Sequence, residues 1–227
     1  MQYLLATSPW YGVILWIILY ISDYYLTIYS ARGFREIGHF QFEGSMELTP
    51  QFQNDVNNLR PVSKRHLLLL ILSSLIIPLV WWITRLSIYM EWTYPLYLGM
   101  FLLLEVAVHL RHFRNIAIIR EIRRNGGVEG QIFYRQWFSY RNSANELYIT
   151  ATFFLIVAIL TYSLFFFGGA IICYATAFKH ARLAKRTKSF APAAVSTLAP
   201  HAHRPGWSAP GSAGEMPLSG TGGQDAA

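Results

Sequence analysis

The sequence predicts an all-α membrane protein, a bundle of four transmembrane helices with five spans as the alternative. Two observations predict this fold class. Hydrophobic residues make up 53% of the 227 residues and charged residues only 14%, whereas about a quarter of the residues in a soluble domain are charged. The apolar residues also form long runs with Lys and Arg clustered beside them, which is the arrangement that membrane topology requires.

The net charge of +7 does not call for a nucleic-acid partner. The basic residues flank the apolar runs instead of forming a separate patch, so the expected partner is the lipid bilayer and not nucleic acid. A homo-oligomer or a larger membrane complex stays open. The only cysteine, Cys173, lies inside an apolar run, so the chain has no internal disulfide framework. Whether the protein holds a cofactor stays open.

Four apolar runs are long enough to cross a bilayer, which takes about 20 residues. The first run has no positive region before it, so we expect it to be retained as a helix and not removed as a signal peptide. We predict a transmembrane domain over residues 1–186, with helices over residues 10–29, 66–84, 94–110 and 147–178.

The fourth run is longer than one crossing needs. It contains no Asp, Glu, Lys or Arg, and at about 1.5 Å per residue it would extend about 48 Å, against a hydrocarbon core of about 30 Å. A break at Gly168-Gly169 would leave residues 170–178, which are too few for a second crossing. The sequence therefore favours four spans and keeps five as the alternative.

The loop charges predict the orientation in the cell membrane. Residues 31–65 carry five Lys and Arg residues, and residues 111–145 carry seven Arg residues. With four spans these two segments lie on one side, which the positive-inside rule makes the cytoplasm, and both termini lie outside. A further basic cluster over residues 179–188 would then also lie outside, in conflict with that rule.

Both predicted cytoplasmic loops contain patterns typical of small structural elements. Residues 38–44 and 128–134 alternate apolar and polar side chains, which predicts two short strands able to pair. Thr49 and Pro50 are typical of a helix start, and predict a short polar helix from Pro50.

Two further patterns set the limits of the last helix. Ser143 and Glu146 have capping-box spacing, which predicts the start of the fourth helix. From residue 187 to residue 227 the chain is rich in Ala, Pro, Gly and Ser. That composition predicts a disordered tail, because it cannot bury enough apolar surface to offset the cost of ordering.

Ionisable side chains inside the apolar runs are the candidate functional residues, because an isolated carboxylate in hydrocarbon is costly. Glu105, His109 and His112 share one helix face. Asp23 reaches a similar depth on the first helix, so Asp23 and Glu105 should face each other or His109. The predicted polar layer comprises Asp23, Thr27, Ser73, Ser74, Glu105, His109, Thr150 and Thr152, with His112 at its inner mouth.

Three interpretations of this layer follow. The leading one is a structural, assembly or accessory subunit, because interhelical hydrogen bonds hold membrane helices together. The second is a small protein that handles an ion, a proton or a metal, since carboxylate and imidazole are suitable ligands. The third is a membrane-embedded hydrolase with a metal on Glu105, His109 and Asp23. The chain contains no H-E-x-x-H motif, serine elbow, Walker loop or dinucleotide fingerprint, so enzymatic activity stays open and no metal site is assigned.

Two short patterns resemble a known family. Asp23-x-x-x-Thr27 on the first helix, followed by Glu47-Leu-Thr-Pro50, is similar to the D-x-x-x-T and E-x-N-P of small bacterial multi-pass membrane proteins of unknown function. Thr49 stands where that family has Asn, and the likeness ends at Pro50. The resemblance implies four spans and a bacterial inner membrane, and it implies no activity.

Overall fold

The computed structural model describes residues 7–86 and 92–190. The elements are α1 (Pro9–Ile37), β1 (Phe40–Phe42), α2 (Pro50–Asn57), α3 (Lys64–Arg85), α4 (Thr93–Asn125), β2 (Ile132–Tyr134), α5 (Gln136–Thr161) and α6 (Leu164–Phe190). Within the described ranges, five helices are long and apolar enough to cross a membrane, namely α1, α3, α4, α5 and α6. The all-α membrane fold class is confirmed, and the span count follows the alternative of five.

The run predicted as one helix over residues 147–178 is two helices, α5 and α6. Between them Tyr162 adopts a left-handed conformation, with φ of 52°, and the N–H of Ser163 bonds to the carbonyl of Ala158 at 3.1 Å. This tight turn absorbs the excess length, since the chain reverses instead of tilting. The considered break at Gly168-Gly169 was wrong, because both glycines lie inside α6. The helix reaches spanning length by continuing into the basic segment.

The central helix is α4, which separates two apolar clusters. One cluster joins α4 to α1 and α3 through Trp16, Ile77 and Leu98. The other joins α4 to α5 and α6 and contains Ala151 and Cys173. Side chains of α4 thus form part of both clusters.

Glycines allow α4 and α6 to touch backbone to backbone. A Cβ atom on Gly99 would overlap the carbonyl oxygen of Phe165, and one on Gly168 would overlap the carbonyl oxygen of Leu96. Small residues allow this close approach between membrane helices. Gly168 therefore serves helix packing and not a turn.

The small elements gather at one end of the bundle. Strands β1 and β2 pair in parallel, with Phe40 opposite Ile132 and Phe42 opposite Tyr134, which confirms the predicted pairing. The ring of Phe34, on the last turns of α1, packs edge-on against Phe40 and Phe42. Helix α2 begins at Pro50 after Thr49, as predicted.

Helix limits differ from the sequence expectation where charged residues continue a helix beyond its apolar part. Helix α5 begins at Gln136 and not at the predicted capping box, so Ser143 lies inside the helix and is 2% exposed. Helix α6 runs to Phe190, so residues 187–190 are helical and the predicted tail does not begin at 187. The remainder of that predicted tail lies outside the described residues.

The three basic segments lie at the same end of the bundle. The Ser143 hydroxyl and Nδ1 of His180 are 2.9 Å apart, and the Lys188 ammonium lies 5.1 Å from the centre of the Trp137 ring. Arg123 pairs with Glu36, near the end of α1. The conflict in the four-span scheme thus disappears, because a fifth crossing returns residues 179–188 to the end that carries the other two segments. With five candidate spans the start of α1 at Pro9 and the end of α6 at Phe190 lie at opposite ends of the bundle, whereas four spans would have placed both ends on one side.

Candidate functional site

Three ionisable side chains meet at the contact between α1 and α4. Potential ligand atoms of Asp23, Glu105 and His109 all lie within 4.8 Å of one another. Glu105 and His109 are buried, at 8% and 7% exposure, while Asp23 is half-buried. Glu105 and His109 are one turn apart on α4, and Asp23 faces them from α1, so two helices build the cluster.

The imidazole of His109 is held in one orientation. Its Nδ1 donates to the carbonyl oxygen of Glu105 at 2.7 Å, and its Nε2 lies 2.7 Å from the hydroxyl of Ser22. Since a carbonyl only accepts, Nδ1 carries the proton in the neutral ring and Nε2 bears the lone pair. The Ser22 hydroxyl also lies 2.9 Å from the carbonyl oxygen of Leu19. With the proton on Nδ1, the Ser22 hydroxyl donates to Nε2, and if Nε2 binds a cation that hydroxyl proton can turn to the Leu19 carbonyl instead.

The carboxylate of Asp23 orients a second histidine. Nε2 of His112 donates to Oδ1 of Asp23 at 3.0 Å and lies 3.1 Å from the hydroxyl of Thr27. Nδ1 of His112 is buried and has no hydrogen-bond partner among the described residues. This buried imidazole nitrogen keeps its lone pair, so it is a further potential cation ligand next to the cluster.

Glu105 is the unusual member of the cluster. Its Oε2 atom is buried and has no hydrogen-bond partner within the described part of the chain. Buried polar atoms are almost always paired, and an unpaired one costs about 1–3 kcal/mol, more when charged. The carboxyl group therefore needs a proton or a bound cation to be stable there.

A cavity of about 690 Å³ begins at Asp23 and Glu105, whereas His109 is not part of its lining. Asp23, Glu105 and His112 line it at the α1–α4 contact, and Arg111 and Lys179 line it towards the basic end of the bundle. Much of the remaining wall is aromatic or aliphatic. Ligand-binding cavities are typically about 300–1,000 Å³ and mostly apolar with a few placed polar groups, so this cavity has the size and lining of a binding site.

Glu47 reaches the same cavity from the loop between β1 and α2. Its Oε1 accepts from the N–H of Thr49 at 2.6 Å. Burial raises the pKa of Glu47 above its usual value, and the nearby carboxylate of Asp23 raises it further. Asp23, Thr27 and Glu47, which belong to the two short patterns noted in the sequence, thus line one cavity.

Four members of the predicted polar layer lie elsewhere. Ser73 accepts from the indole N–H of Trp16 at 2.8 Å, and Thr150 donates to the carbonyl of Glu146 at 2.9 Å. Thr152 is exposed and contacts Tyr174, and the buried hydroxyl of Ser74 has no partner among the described residues. None of the four lines the cavity. Their depth in the bundle was predicted, but their helices turn them away from the cluster.

Sequence reasoning also missed two features. Ser22 lies next to Asp23 and bonds to His109, but nothing in the pattern distinguished it from a lipid-facing serine. Glu146 accepts from Nε of Arg111 at 2.8 Å and pairs with Arg114. The opposite charges of Arg111 and Arg114 within α4 and of Glu146 within α5 could have indicated this network. No family model, curated protein or solved structure matches the chain.

Proposed function

We propose that this protein is a multi-pass membrane protein that binds a divalent transition-metal cation at Asp23, Glu105 and His109. The observation that carries the proposal is the convergence of three potential ligand atoms within 4.8 Å, in a setting where the buried Oε2 of Glu105 has no partner among the described residues. A cation between the three groups would supply that partner and offset the repulsion between the two carboxylates.

The ligand set determines the class of cation. Two carboxylates and one imidazole form a mixed oxygen and nitrogen set, which suits Mn²⁺, Fe²⁺ or Zn²⁺ better than it suits Mg²⁺ or Ca²⁺, which prefer oxygen alone. A metal-bound histidine commonly donates its other N–H to a carbonyl, which fixes the ring. The bond from His109 to the Glu105 carbonyl has that form.

The leading sequence interpretation, a structural or assembly subunit, explains less of the cluster. Helix adhesion accounts for the bonds from Asp23 to His112 and from Ser22 to His109. It does not account for Glu105, whose buried Oε2 makes no hydrogen bond to any residue that the structure describes. We therefore favour the ion- or metal-handling alternative.

We further propose that the cation reaches the site from the cytoplasm. The cavity extends from the cluster to the end of the bundle with the basic segments, and Lys- and Arg-rich loops favour the cytoplasmic side. Towards the other end, the apolar cluster around Trp16, Ile77 and Leu98 is packed and buried. Access is therefore expected from one side only.

The test is cation binding by the full chain, purified in a neutral detergent. Binding of Mn²⁺, followed by loss of the free-ion electron paramagnetic resonance signal, should saturate at one equivalent. Glu105→Gln keeps the shape of the side chain but removes a charged ligand, so the affinity should fall at least tenfold, about 1.4 kcal/mol.

The matched control is Glu121→Gln, the same change at an exposed position of α4, which should leave the affinity unchanged. Equal Mn²⁺ binding by the wild type and Glu105→Gln, with both proteins folded, would rule out the site. If the wild type shows no saturable binding of Mn²⁺, Fe²⁺ or Zn²⁺, the cation site is ruled out and the structural or assembly role is favoured.

A further inference from the structure

We infer that the cavity binds a phosphate monoester of an amphiphile, with the phosphate between the cation cluster and a basic corner. The basic corner consists of Arg111, Arg114, Lys179 and His180, which line the cavity from α4 and α6. The inference rests on the proposed cation site, and it assigns the ligand class for the rest of the same cavity.

The basic corner has more positive charge than its acid neutralises. Its one carboxylate, Glu146, already accepts from Arg111, from Arg114 and from the side-chain amide of Asn142. Lys179 forms no ion pair with any residue that the structure describes. An anionic ligand would neutralise the remaining positive charge of this corner.

The charge of the whole cavity leads to the same ligand. The residues with formal charges in its lining are Asp23, Glu47, Glu105, Glu146, Arg111, Arg114 and Lys179. A divalent cation at the cluster changes their formal sum from −1 to +1. The cation-loaded cavity then has a net positive charge, which attracts an anion.

The geometry suits a phosphate in particular. Arg111 follows Glu105 by six residues on α4, a rise of about 9 Å along the helix axis, and both side chains line the cavity, so a phosphate between the cation and the guanidinium would lie within it. Arg111 is held in place by its bonds to Glu146 and Ser143 at 2.8 Å each. A fixed guanidinium is well suited to phosphate oxygens.

The remaining wall indicates that the ligand carries an apolar chain. Phe34, Phe40, Phe42 and Phe52 line the cavity, and aromatic residues of α1 and β2 extend this surface. A free phosphate ion would leave these rings facing water at a cost proportional to their area. An alkyl phosphate covers them and places its charged head in the basic corner.

The experiment uses the full chain in neutral detergent with three probes, n-octyl phosphate, inorganic phosphate and n-octyl trimethylammonium, each with and without Mn²⁺. Octyl phosphate should bind saturably and raise the unfolding temperature, and Mn²⁺ should tighten its binding at least tenfold. Inorganic phosphate should bind at least tenfold more weakly, and the ammonium compound should not compete. Equal affinity for octyl and inorganic phosphate overturns the amphiphile assignment.

The key variant is Lys179→Gln, with Lys185→Gln as the matched control. Both lysines are exposed on α6, but only Lys179 lines the cavity. Lys179→Gln should weaken octyl phosphate binding about tenfold while Mn²⁺ binding stays, and Lys185→Gln should change neither. If both variants weaken octyl phosphate binding equally, the effect is general charge attraction and the inference fails.

The two proposals fail separately. Binding of Mn²⁺ with no saturable binding of octyl phosphate overturns this inference and leaves the cation site. Binding of octyl phosphate without any binding of Mn²⁺ overturns the cation site, and with it the part of this inference that places the phosphate beside a metal.

Discussion

Nε2 of His112 donates to Oδ1 of Asp23 across 3.0 Å, and this bond joins α4 to α1. It fixes the carboxylate of Asp23 beside Glu105 and leaves Nδ1 of His112 without a partner among the described residues. One hydrogen bond thus positions a potential cation ligand and presents a second imidazole to the cavity. The energetic coupling of these groups can be measured.

We predict that Asp23 and Glu105 are coupled in stability. Glu105→Ala should destabilise the protein by leaving a cavity, and the double change with Asp23→Asn should cost more than the sum of the two single changes, because either single change alone already relieves the repulsion between the two carboxylates. Residues in contact show coupling of about 0.5–3 kcal/mol. The measurement is a double-mutant cycle of thermal or denaturant unfolding in detergent.

The control cycle combines Glu105→Ala with Glu36→Gln. Glu36 pairs with Arg123 at the loop end of the bundle and shares no partner with Glu105, so the two changes should add within about 0.3–0.5 kcal/mol. If the Asp23 cycle is equally additive, the two carboxylates do not interact and the proposed cation site loses its basis.

We predict that Glu47 makes stability depend on pH. Burial raises its pKa above the usual 4.5, so its contribution is fully present below that value and is lost as the pH rises through the raised folded-state pKa. Wild-type stability should therefore fall from pH 4.5 upward, and Glu47→Gln should remove part of that fall. The amide oxygen of glutamine can still accept from Thr49.

Unfolding temperatures measured across this pH window check the prediction. Glu129→Gln, at an exposed loop position, is the matched control and should keep the wild-type profile. A Glu47→Gln profile parallel to that of the wild type throughout would show that the carboxyl is not held in a destabilising environment.

How much of the fold could be predicted depended on local signals. The apolar runs, the Thr49-Pro50 helix start and the alternating strands all act locally, so the sequence alone placed α2 and the strand pair. The turn at Tyr162 has no glycine or proline, and the excess length of the apolar run indicated only that something must absorb it. The sequence suggested Gly168-Gly169 as a possible break in the helix, although Gly168 is needed for the contact with α4.

The sequence predicted how deep the candidate site residues lie in the bundle, but not the direction in which each helix points its side chains. Residue counting placed Asp23 and Glu105 at the same level, because rise along a helix is constant. It placed Thr150 and Thr152 there too, but the direction in which a helix faces depends on packing with its neighbours. The cavity depends on the loops over the bundle, and no pattern in the sequence predicted it.

We predict that residues Gln41, Glu129 and Ser189 lie on one side of the membrane, in the cytoplasm. In a Cys173→Ala background, single cysteines at these positions should resist an impermeant thiol reagent in intact cells and react after lysis. A cysteine at Tyr162, which is 94% exposed in the turn between α5 and α6, should react in intact cells. Reaction at Ser189 together with protection at Gln41 and Glu129 would restore four crossings.

We predict that Gly168→Ala is strongly destabilising and that Gly12→Ala is milder. The new Cβ at 168 would overlap the backbone carbonyl of Leu96, whereas at Gly12 it would meet the end of the Leu98 side chain at 2.8 Å, which can rotate. Overpacking typically costs about 1–3 kcal/mol. Unfolding of the two variants in detergent gives the comparison, and equal costs would contradict the backbone contact.

The glycine contacts also bear on how the cavity can open. Since α4 and α6 touch through their backbones and α6 also packs along α5, we expect these three helices to move as one rigid body. The contact of α1 with α4 runs through side chains such as Leu98 and Ile119, which can slide. Asp23 moves with α1 and Glu105 with α4, so a bound cation would lock the two parts together and its release would free α1 to shift.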